Sequence, residues 1–196
     1  LAEGWNMIGS VSASANLDDP GEIIIAGTLY DYPYGDPASS VEPGQGYWVR
    51  TSAAGDVTIS SGAASAKTIE KIVDANTLRF NDTQTLYFGI SVADESRLSY
   101  SLPPKPFAGA FDVRFAGDWK IAENGGTIEV MNNTDRLSID YDITIPAGEQ
   151  MRWVLTDNKT EYELEGTGTI EIIGNASDFV LAKTPVVPET YVLSQN

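Results

Sequence analysis

The side chains that most often carry catalysis are missing from this sequence, which contains no histidine and no cysteine. Without cysteine there is no disulfide, no thiol nucleophile and no iron–sulfur site. Without histidine there is no Ser-His-Asp triad, and there are no zinc or haem sites of the commonest kinds. The remaining chemistry is that of carboxylates, lysine, tyrosine, serine and threonine. This composition predicts a protein that binds, spaces or assembles rather than an enzyme.

Carboxylates in two N-terminal loops form a candidate calcium site. Asp18 and Asp19 lie in the first loop, and Asp31 and Asp36 lie in the second. A calcium ion binds about six to eight oxygen atoms, which carboxylates, backbone carbonyls and water supply. Neither loop has the ligand spacing of an EF-hand, so the site requires the two loops to converge. The alternative interpretation is that these aspartates are solvated turn residues and that the chain has no cofactor.

Tyrosines in the second loop form a candidate ligand surface. Tyr32 and Tyr34 alternate with proline and glycine, which predicts an exposed turn. Exposed aromatic rings stack on the flat faces of sugars, so surface glycans are the expected ligands. The other aromatic residues of the N-terminal segment lie in strand-like runs, where core packing explains Trp5, Tyr30 and one of the neighbouring pair Tyr47 and Trp48.

Glutamates at alternate positions near residue 163 are the nearest approach to a catalytic carboxylate pair. Glycoside hydrolysis needs two carboxyl groups about 5–10 Å apart. Glu161, Glu163, Glu165 and Glu171 fit an alternating pattern, which predicts the solvated face of a hairpin. Like charges on a solvated face need no function, and no catalytic residue is predicted.

The net charge of −16, from 28 acidic and 12 basic residues, excludes several partners. A nucleic-acid-binding surface requires clustered cations, whereas Arg50 is the one basic residue among the first 66. No apolar run approaches the roughly 18 residues of a membrane-spanning helix. The sequence therefore predicts neither nucleic-acid binding nor membrane insertion.

Apolar residues alternate with polar ones along much of the chain, which predicts an all-β fold. Turn-forming residues interrupt these runs at short intervals, as in antiparallel sandwiches and barrels. Strands are predicted at residues 5–11, 23–32, 46–51 and 57–60, followed by about nine more. The large apolar residues of the later strands form the predicted core: Phe80, Leu86, Phe88, Phe111, Val113, Phe115, Trp119, Trp153 and Leu155.

Composition divides the chain into three parts. Residues 1–62 are predicted to form a small β module, and residues 67–183 an antiparallel sandwich of immunoglobulin-like or jelly-roll-like type. Serine, alanine and glycine between them indicate a linker. Residues 184–196 contain two prolines and are predicted to be an extended linker or tail.

Three stretches of sequence resemble a known family of surface proteins. The stretch GWNMIG at residues 4–9 is followed by EPGQGYWVR at residues 42–50, and the chain ends in LSQN. This order is similar to the C-terminal modules of large secreted proteins of the Bacteroidetes–Chlorobi–Ignavibacteria type. In those proteins the module precedes a β-sandwich and a type IX secretion sorting domain. The resemblance implies an exported protein, extracellular or attached to the cell surface, and no specific reaction.

The function expected from these features is that of a non-catalytic structural or assembly module. One alternative is a carbohydrate-binding module that uses Tyr32 and Tyr34. Another is the accessory region of a larger secreted hydrolase.

Apolar residues in the tail suggest how copies of the chain could associate. Tyr191, Val192 and Leu193 could add a strand to an exposed sheet edge, either on their own sandwich or on a neighbouring subunit. Head-to-tail contacts of that kind would produce a filament or a surface layer. The alternative is a flexible tether to a sorting domain.

Overall fold

The chain folds almost entirely into β-strands in a computed structural model that describes residues 1–9, 12–61, 74–133, 136–146, 148–157, 159–174 and 178–186. The described residues contain one short helix, α1 (Asp94–Arg97), followed by a 3-10 turn at Leu98–Tyr100. The strands are β1 (Gly4–Gly9), β2 (Asn16–Asp18), β3 (Gly46–Thr51), β4 (Thr58–Ser60), β5 (Asn76–Phe80), β6 (Gln84–Phe88), β7 (Asp112–Phe115), β8 (Ile121–Ala122), β9 (Gly125–Met131), β10 (Arg136–Ile143), β11 (Met151–Thr156), β12 (Glu161–Leu164), β13 (Gly166–Ile173) and β14 (Asp178–Pro185). The predicted all-β fold is confirmed.

Two small antiparallel pairs form the N-terminal part. β1 pairs with β3 and β2 pairs with β4. Strict alternation in β3 turns Tyr47 and Val49 inward, so Tyr47 is the buried member of the neighbouring aromatic pair. A separate hydrophobic cluster results: Ala15, Leu17, Ile24, Leu29, Val41, Tyr47 and Val49.

The strand predicted at residues 23–32 does not form. Only two isolated bridges occur there, from Ile24 to Thr51 and from Tyr30 to Trp48. Gly27 lies between them with a φ of 73°, which interrupts an extended backbone. Apolar alternation predicted a continuous strand, but the segment instead runs antiparallel beside β3 as a loop that bonds to it near Ile24 and at Tyr30.

The second part is a sandwich of two five-stranded sheets. Their strand orders are β13-β10-β5-β6-β8 and β12-β11-β14-β9-β7. The pairs β11–β12, β10–β13 and β9–β14 are nested in sequence, which is the pattern of a long hairpin folded over itself, as in jelly rolls. The described pairings are antiparallel except that between β6 and β8.

The core of the sandwich lies between these two sheets. Seven of the nine predicted core residues are buried, and Phe111 and Trp119 pack against the core while half-buried. Phe88 and Trp153 meet edge to face across the core with ring centroids 4.8 Å apart. Alternation along each strand therefore identified the inward face correctly.

The last described strand extends beyond the predicted start of the tail. Thr184 and Pro185 pair with Arg152 and Met151 of β11. The next N–H, from Val186, donates to the carbonyl of Gln150 at 2.9 Å, so the nitrogen of Pro185 faces away from β11. The pairing of β14 with β9 has already ended at Ala182. Proline is therefore tolerated at position 185, because no hydrogen bond of the ladder is lost.

Several predicted features lie outside the described residues. They include the region of the linker between residues 62 and 67, and the tail residues Tyr191, Val192 and Leu193.

Candidate functional site

The tyrosine loop packs against the sandwich instead of projecting into solvent. Tyr34 is 5% exposed, which contradicts the prediction that its ring is available to a ligand. Its hydroxyl lies 3.5 Å from the carbonyl of Pro104, as donor. Tyr32 is 46% exposed, but its hydroxyl donates to the carbonyl of Phe111 and its ring packs edge-on against Tyr34. Both predicted ligand residues therefore join two parts of the chain.

A third hydrophobic cluster forms where the loop meets the sandwich. Tyr30, Tyr34 and Leu102 are buried, and Trp5 and Trp48 pack against them. The Tyr30 ring lies between Trp5 and Tyr34, with centroids 6.3 Å and 6.4 Å away. The predicted packing role of Tyr30 is confirmed. Its cluster is distinct from the N-terminal cluster and from the sandwich core.

A buried lysine of the sandwich reaches into this cluster. Lys120 is 3% exposed, and its Nζ donates to the carbonyl of Gly35 at 2.7 Å. The same nitrogen lies 3.7 Å from the exposed carboxylate of Asp36. It also lies within 6 Å of the rings of Tyr30 and Tyr87, a distance at which a cation is attracted to an aromatic face. Lys120 thus contacts the tyrosine loop through charge, hydrogen bonding and aromatic rings.

Burial shifts the proton equilibria of this cluster. It lowers the pKa of Lys120 to about 8, against the opposing attraction of Asp36. Burial also raises the pKa of Tyr30, with smaller contributions from Tyr87 and Asp36. The lysine is therefore mainly cationic and the tyrosine neutral at pH 7. We name the contacts of residues 30–36 with Lys120, Leu102 and Pro104 the tyrosine–lysine joint.

A fully buried ion pair supports the segment on which Tyr34 rests. Arg114 and Asp112 have no exposed surface, and the Arg114 Nε donates to the Asp112 carboxylate at 2.5 Å. The Nη1 atom of Arg114 donates to Asp118 and to the carbonyl of Pro103, both at 2.8 Å. Burial lowers the pKa of Arg114, but the hydrogen bonds and charges of Asp112 and Asp118 outweigh this effect and raise it. Arg114 therefore stays charged and fixes the backbone beside Pro104.

The aspartates of the predicted calcium site are not brought together. The carboxylate of Asp19 accepts the backbone N–H groups of Ile23 and Ile24, at 3.0 Å and 2.9 Å, and so closes its own loop. Asp36 faces Lys120, and Asp18 is exposed at the end of β2. Across the part of the chain that the structure describes, no group of three or more acidic side chains could hold a metal ion.

A separate pocket of about 470 Å³ lies at one end of the sandwich, between the loop that contains α1 and the turn before β9. The guanidinium of Arg97 lies over the ring of Trp119, 4.6 Å from its centroid. Asp94, Glu123 and Asn124 also line the pocket. Neither this pocket nor the joint is predictable from local sequence, because each is formed by residues from separate segments. A lysine between apolar residues at position 120 is the one local signal of the joint.

Comparison of the chain with protein-family models, with curated proteins and with solved structures found no match. Among the described residues, no helix is long and apolar enough to cross a membrane.

Proposed function

We propose that this chain is a non-catalytic structural module of an exported bacterial surface protein, in which the tyrosine–lysine joint holds the N-terminal part and the sandwich in one fixed arrangement. The observation that carries the proposal is the use of Lys120, the chain's most deeply buried lysine among those described, as a contact between these two parts. A spacer transmits position and force only if its parts do not move independently.

The chemistry of the joint suits a permanent contact. Burial of an ammonium group is costly unless it has hydrogen-bonding and charged partners. Lys120 has the carbonyl of Gly35, the carboxylate of Asp36 and two aromatic rings. If the two parts separated, the tyrosines and Leu102 would be exposed to water, at a cost of about 25 cal/mol for each Å² of apolar surface.

Export and surface location are supported by the sequence resemblance alone. The GWNMIG and EPGQGYWVR stretches occupy β1 and the segment that leads into and includes β3. In the family that they resemble, such modules precede a sorting domain at the cell surface. The location is tested by protease treatment of intact cells that produce the protein, since a surface protein is degraded while cytoplasmic proteins survive.

The joint is tested by backbone ¹⁵N relaxation on the variant Lys120→Met. In the wild type we expect the described residues before and after position 61 to share one rotational correlation time. Lys120→Met removes the hydrogen bond to Gly35 while keeping an apolar stem, and we expect two separate correlation times. Lys105→Met is the matched control, because Lys105 is partly exposed and its ion pair with Glu129 does not involve the joint.

Two outcomes would contradict this proposal. One is independent motion of the two parts in the wild type. The other is an equal response of the joint to Lys120→Met and Lys105→Met.

The pocket beside Trp119 favours a second candidate function, the binding of a small carbohydrate. It combines an aromatic ring with carboxylate, amide and guanidinium groups, which are the groups that bind sugar hydroxyls. A glycan array tests this function, with Glu123→Gln as the pocket variant and Glu161→Gln on β12 as the control. Binding that Glu161→Gln retains and Glu123→Gln loses would support the pocket. An array without any bound glycan would eliminate the candidate.

A further inference from the structure

We propose that β13 is a dimerisation edge, at which a second copy of this chain adds its own β13 in antiparallel orientation about a two-fold axis at Ile170. This inference extends the proposed function by naming a partner. It rests on the edge of one sheet and not on the tyrosine–lysine joint, so either proposal can fail without the other.

The direction of the backbone groups in β13 follows from its neighbour β10. Asn81 and Ser138 exchange hydrogen bonds on the side of β10 that faces β5, at 2.9 Å and 3.0 Å. The backbone N–H and C=O groups of Ser138 therefore point away from β13. Glu171 lies opposite Ser138 on β13, and its backbone N–H and C=O groups likewise point away from β10. By alternation, Ile170 and Ile172 bond to β10.

Within the part of the chain that the structure describes, the outer edge of β13 consequently presents a regular set of unpaired groups. No described strand pairs with this edge. The N–H and C=O groups of four alternate residues point outward: Thr167, Thr169, Glu171 and Ile173. An open row of this kind is a template for another strand.

The other edge strands of the two five-stranded sheets are shorter than β13. The edge strands β7 and β12 have four residues each, and β8 has two. β13 has eight residues, with neither lysine nor proline. Short edges, and edges with lysine or proline, discourage strand addition, whereas a long edge without them permits it.

The single charge on β13 is already neutralised within the subunit. Glu171 accepts hydrogen bonds from Arg136 at 2.6 Å and from Ser138 at 3.2 Å, both on β10. The hydrogen bond from Arg136 is the largest cause that lowers the pKa of Glu171. A partner strand would therefore meet a paired carboxylate. The adjacent Ile173 is 90% exposed and would gain apolar contact.

One register satisfies the whole edge. A two-fold axis at Ile170 places Thr169 opposite Glu171 of the second copy, and Thr167 opposite Ile173. All four are outward-pointing residues, so every free N–H and C=O finds a partner. A two-fold axis at Glu171 would instead place two glutamates opposite each other, and an axis at Thr169 would leave Ile173 beyond the partner strand.

The association is tested first by sedimentation of the full chain over a concentration series. We expect a reversible monomer–dimer equilibrium. Thr169→Pro removes an outward N–H without removing a bond to β10, and we expect dimerisation to weaken at least about tenfold. Thr169→Val is the matched control, since it loses the same hydroxyl contact to Asp140 but keeps the N–H.

The register is tested separately by cross-linking, because the chain contains no native cysteine. In the proposed dimer, position 167 lies opposite position 173 of the other copy, so the double variant Thr167→Cys/Ile173→Cys should form a covalent dimer on oxidation. With Ile173→Cys alone, the two thiols lie about 20 Å apart, at roughly 3.3 Å for each of six residues, and should not cross-link. This test also decides the matter if Thr169→Pro fails to fold.

Four results would overturn the proposal. The first is a monomer at every concentration, which is expected if another part of the chain covers the edge. The second is equal dimerisation by Thr169→Pro and Thr169→Val, and the third is cross-linking that does not require position 167. The fourth is growth beyond the dimer through the same edge, since a two-fold contact is closed.

Discussion

Lys120 carries a charge that folding removes from water. Its Nζ atom has the Gly35 carbonyl and the Asp36 carboxylate as partners, yet burial still lowers the pKa of Lys120 to about 8. The net effect of the environment is therefore to disfavour the charged form. Lys120 remains mainly charged at neutral pH despite this penalty, and its ammonium group makes a specific contact between two parts of the chain.

We expect the free energy of unfolding to rise with pH because of Lys120. Between pH 8 and about 10.4, the unfolded lysine is protonated while the folded one is not, so the unfolded state binds more protons and stability increases with pH. The gain is on the order of 3 kcal/mol at most. Denaturant unfolding at several pH values between 7 and 10 gives the unfolding free energies of the wild type and of Lys120→Met. The change with pH in the difference between them measures the contribution of Lys120.

Tyrosine ionisation reverses this trend at higher pH in the wild type. Burial raises the pKa of Tyr30 in the folded state, so the stability that it contributes is present below the unfolded pKa of about 10 and is lost as the pH rises above it. Below about pH 10 tyrosine stays mainly protonated in both states, so the change with pH in the difference between wild type and Lys120→Met reports Lys120. A difference that stays constant from pH 7 to pH 10 would contradict the assigned shift.

Arg114 gives a second prediction at the residue scale. Arg114→Met leaves Asp112 buried without its partner, and we expect a loss of about 3–5 kcal/mol in unfolding free energy. Replacing both residues, as Arg114→Met/Asp112→Leu, should recover part of the loss because no charge remains buried. Calorimetry measures both variants.

Arg136→Met is the control for this prediction, since the ion pair of Arg136 with Glu171 is exposed. We expect a much smaller effect from it. Equal losses from the two arginine variants would show that burial does not determine the cost.

At the scale of elements, the start of β9 depends on how closely it approaches β14. Gly125 has a φ of +77°, and a Cβ at this position would collide with the backbone carbonyl oxygen of Leu181. Gly126 has a φ of +143°, and nothing lies within 4 Å of the corresponding Cβ position. The two glycines share an unusual backbone but differ in their surroundings.

We expect Gly125→Ala to destabilise the protein by roughly 2 kcal/mol or more, through backbone strain together with displacement of β14. Gly126→Ala should cost less, since strain is its only penalty. Thermal unfolding of the two variants measures the difference. If both lower the melting temperature equally, then the approach of the two strands does not limit the packing here.

The N-terminal elements show how far a local pattern specifies a strand. Residues 46–51 form β3 as predicted, because alternation there coincides with a partner, β1, on one side. Residues 23–32 have a similar apolar content and lie beside β3, but the positive φ of Gly27 interrupts their pairing, so that only two isolated bridges form. Apolar spacing predicts which residues become buried, whereas pairing requires a partner in register.

At the scale of the whole molecule, the net charge of −16 is the dominant electrostatic feature. Acidic groups distributed over the surface repel one another more strongly in the folded state, where they are closer together. Salt screens that repulsion, since the Debye length falls from about 30 Å at 10 mM to about 10 Å at 100 mM.

We therefore expect the melting temperature to rise modestly when NaCl is raised from about 10 mM to about 100 mM. Sucrose, which stabilises without screening, is the control for effects unrelated to charge. A clear fall in melting temperature with NaCl would show that attractive ion pairs outweigh the repulsion. A reducing agent should have no effect, because the chain has no cysteine.

The sequence by itself determined the fold class and the inward faces of the sandwich. Alternation is a local property, since successive side chains of a strand point to opposite faces. Phe80, Phe88 and Trp153 are therefore buried as predicted. Composition likewise determined the net charge and the absence of cysteine chemistry, neither of which depends on how the chain folds.

Only the tertiary structure decided what the loops do. Pro33 and Gly35 predicted an exposed turn, but Tyr34 is buried in a cluster with Tyr30 and Leu102. Lys120 and Gly35 are 85 positions apart in sequence and meet at 2.7 Å. The position of β13 at the edge of its sheet likewise follows only from the order of the strands. Burial of a loop residue and exposure of a strand edge depend on distant segments, and no local pattern encodes where those segments come to lie.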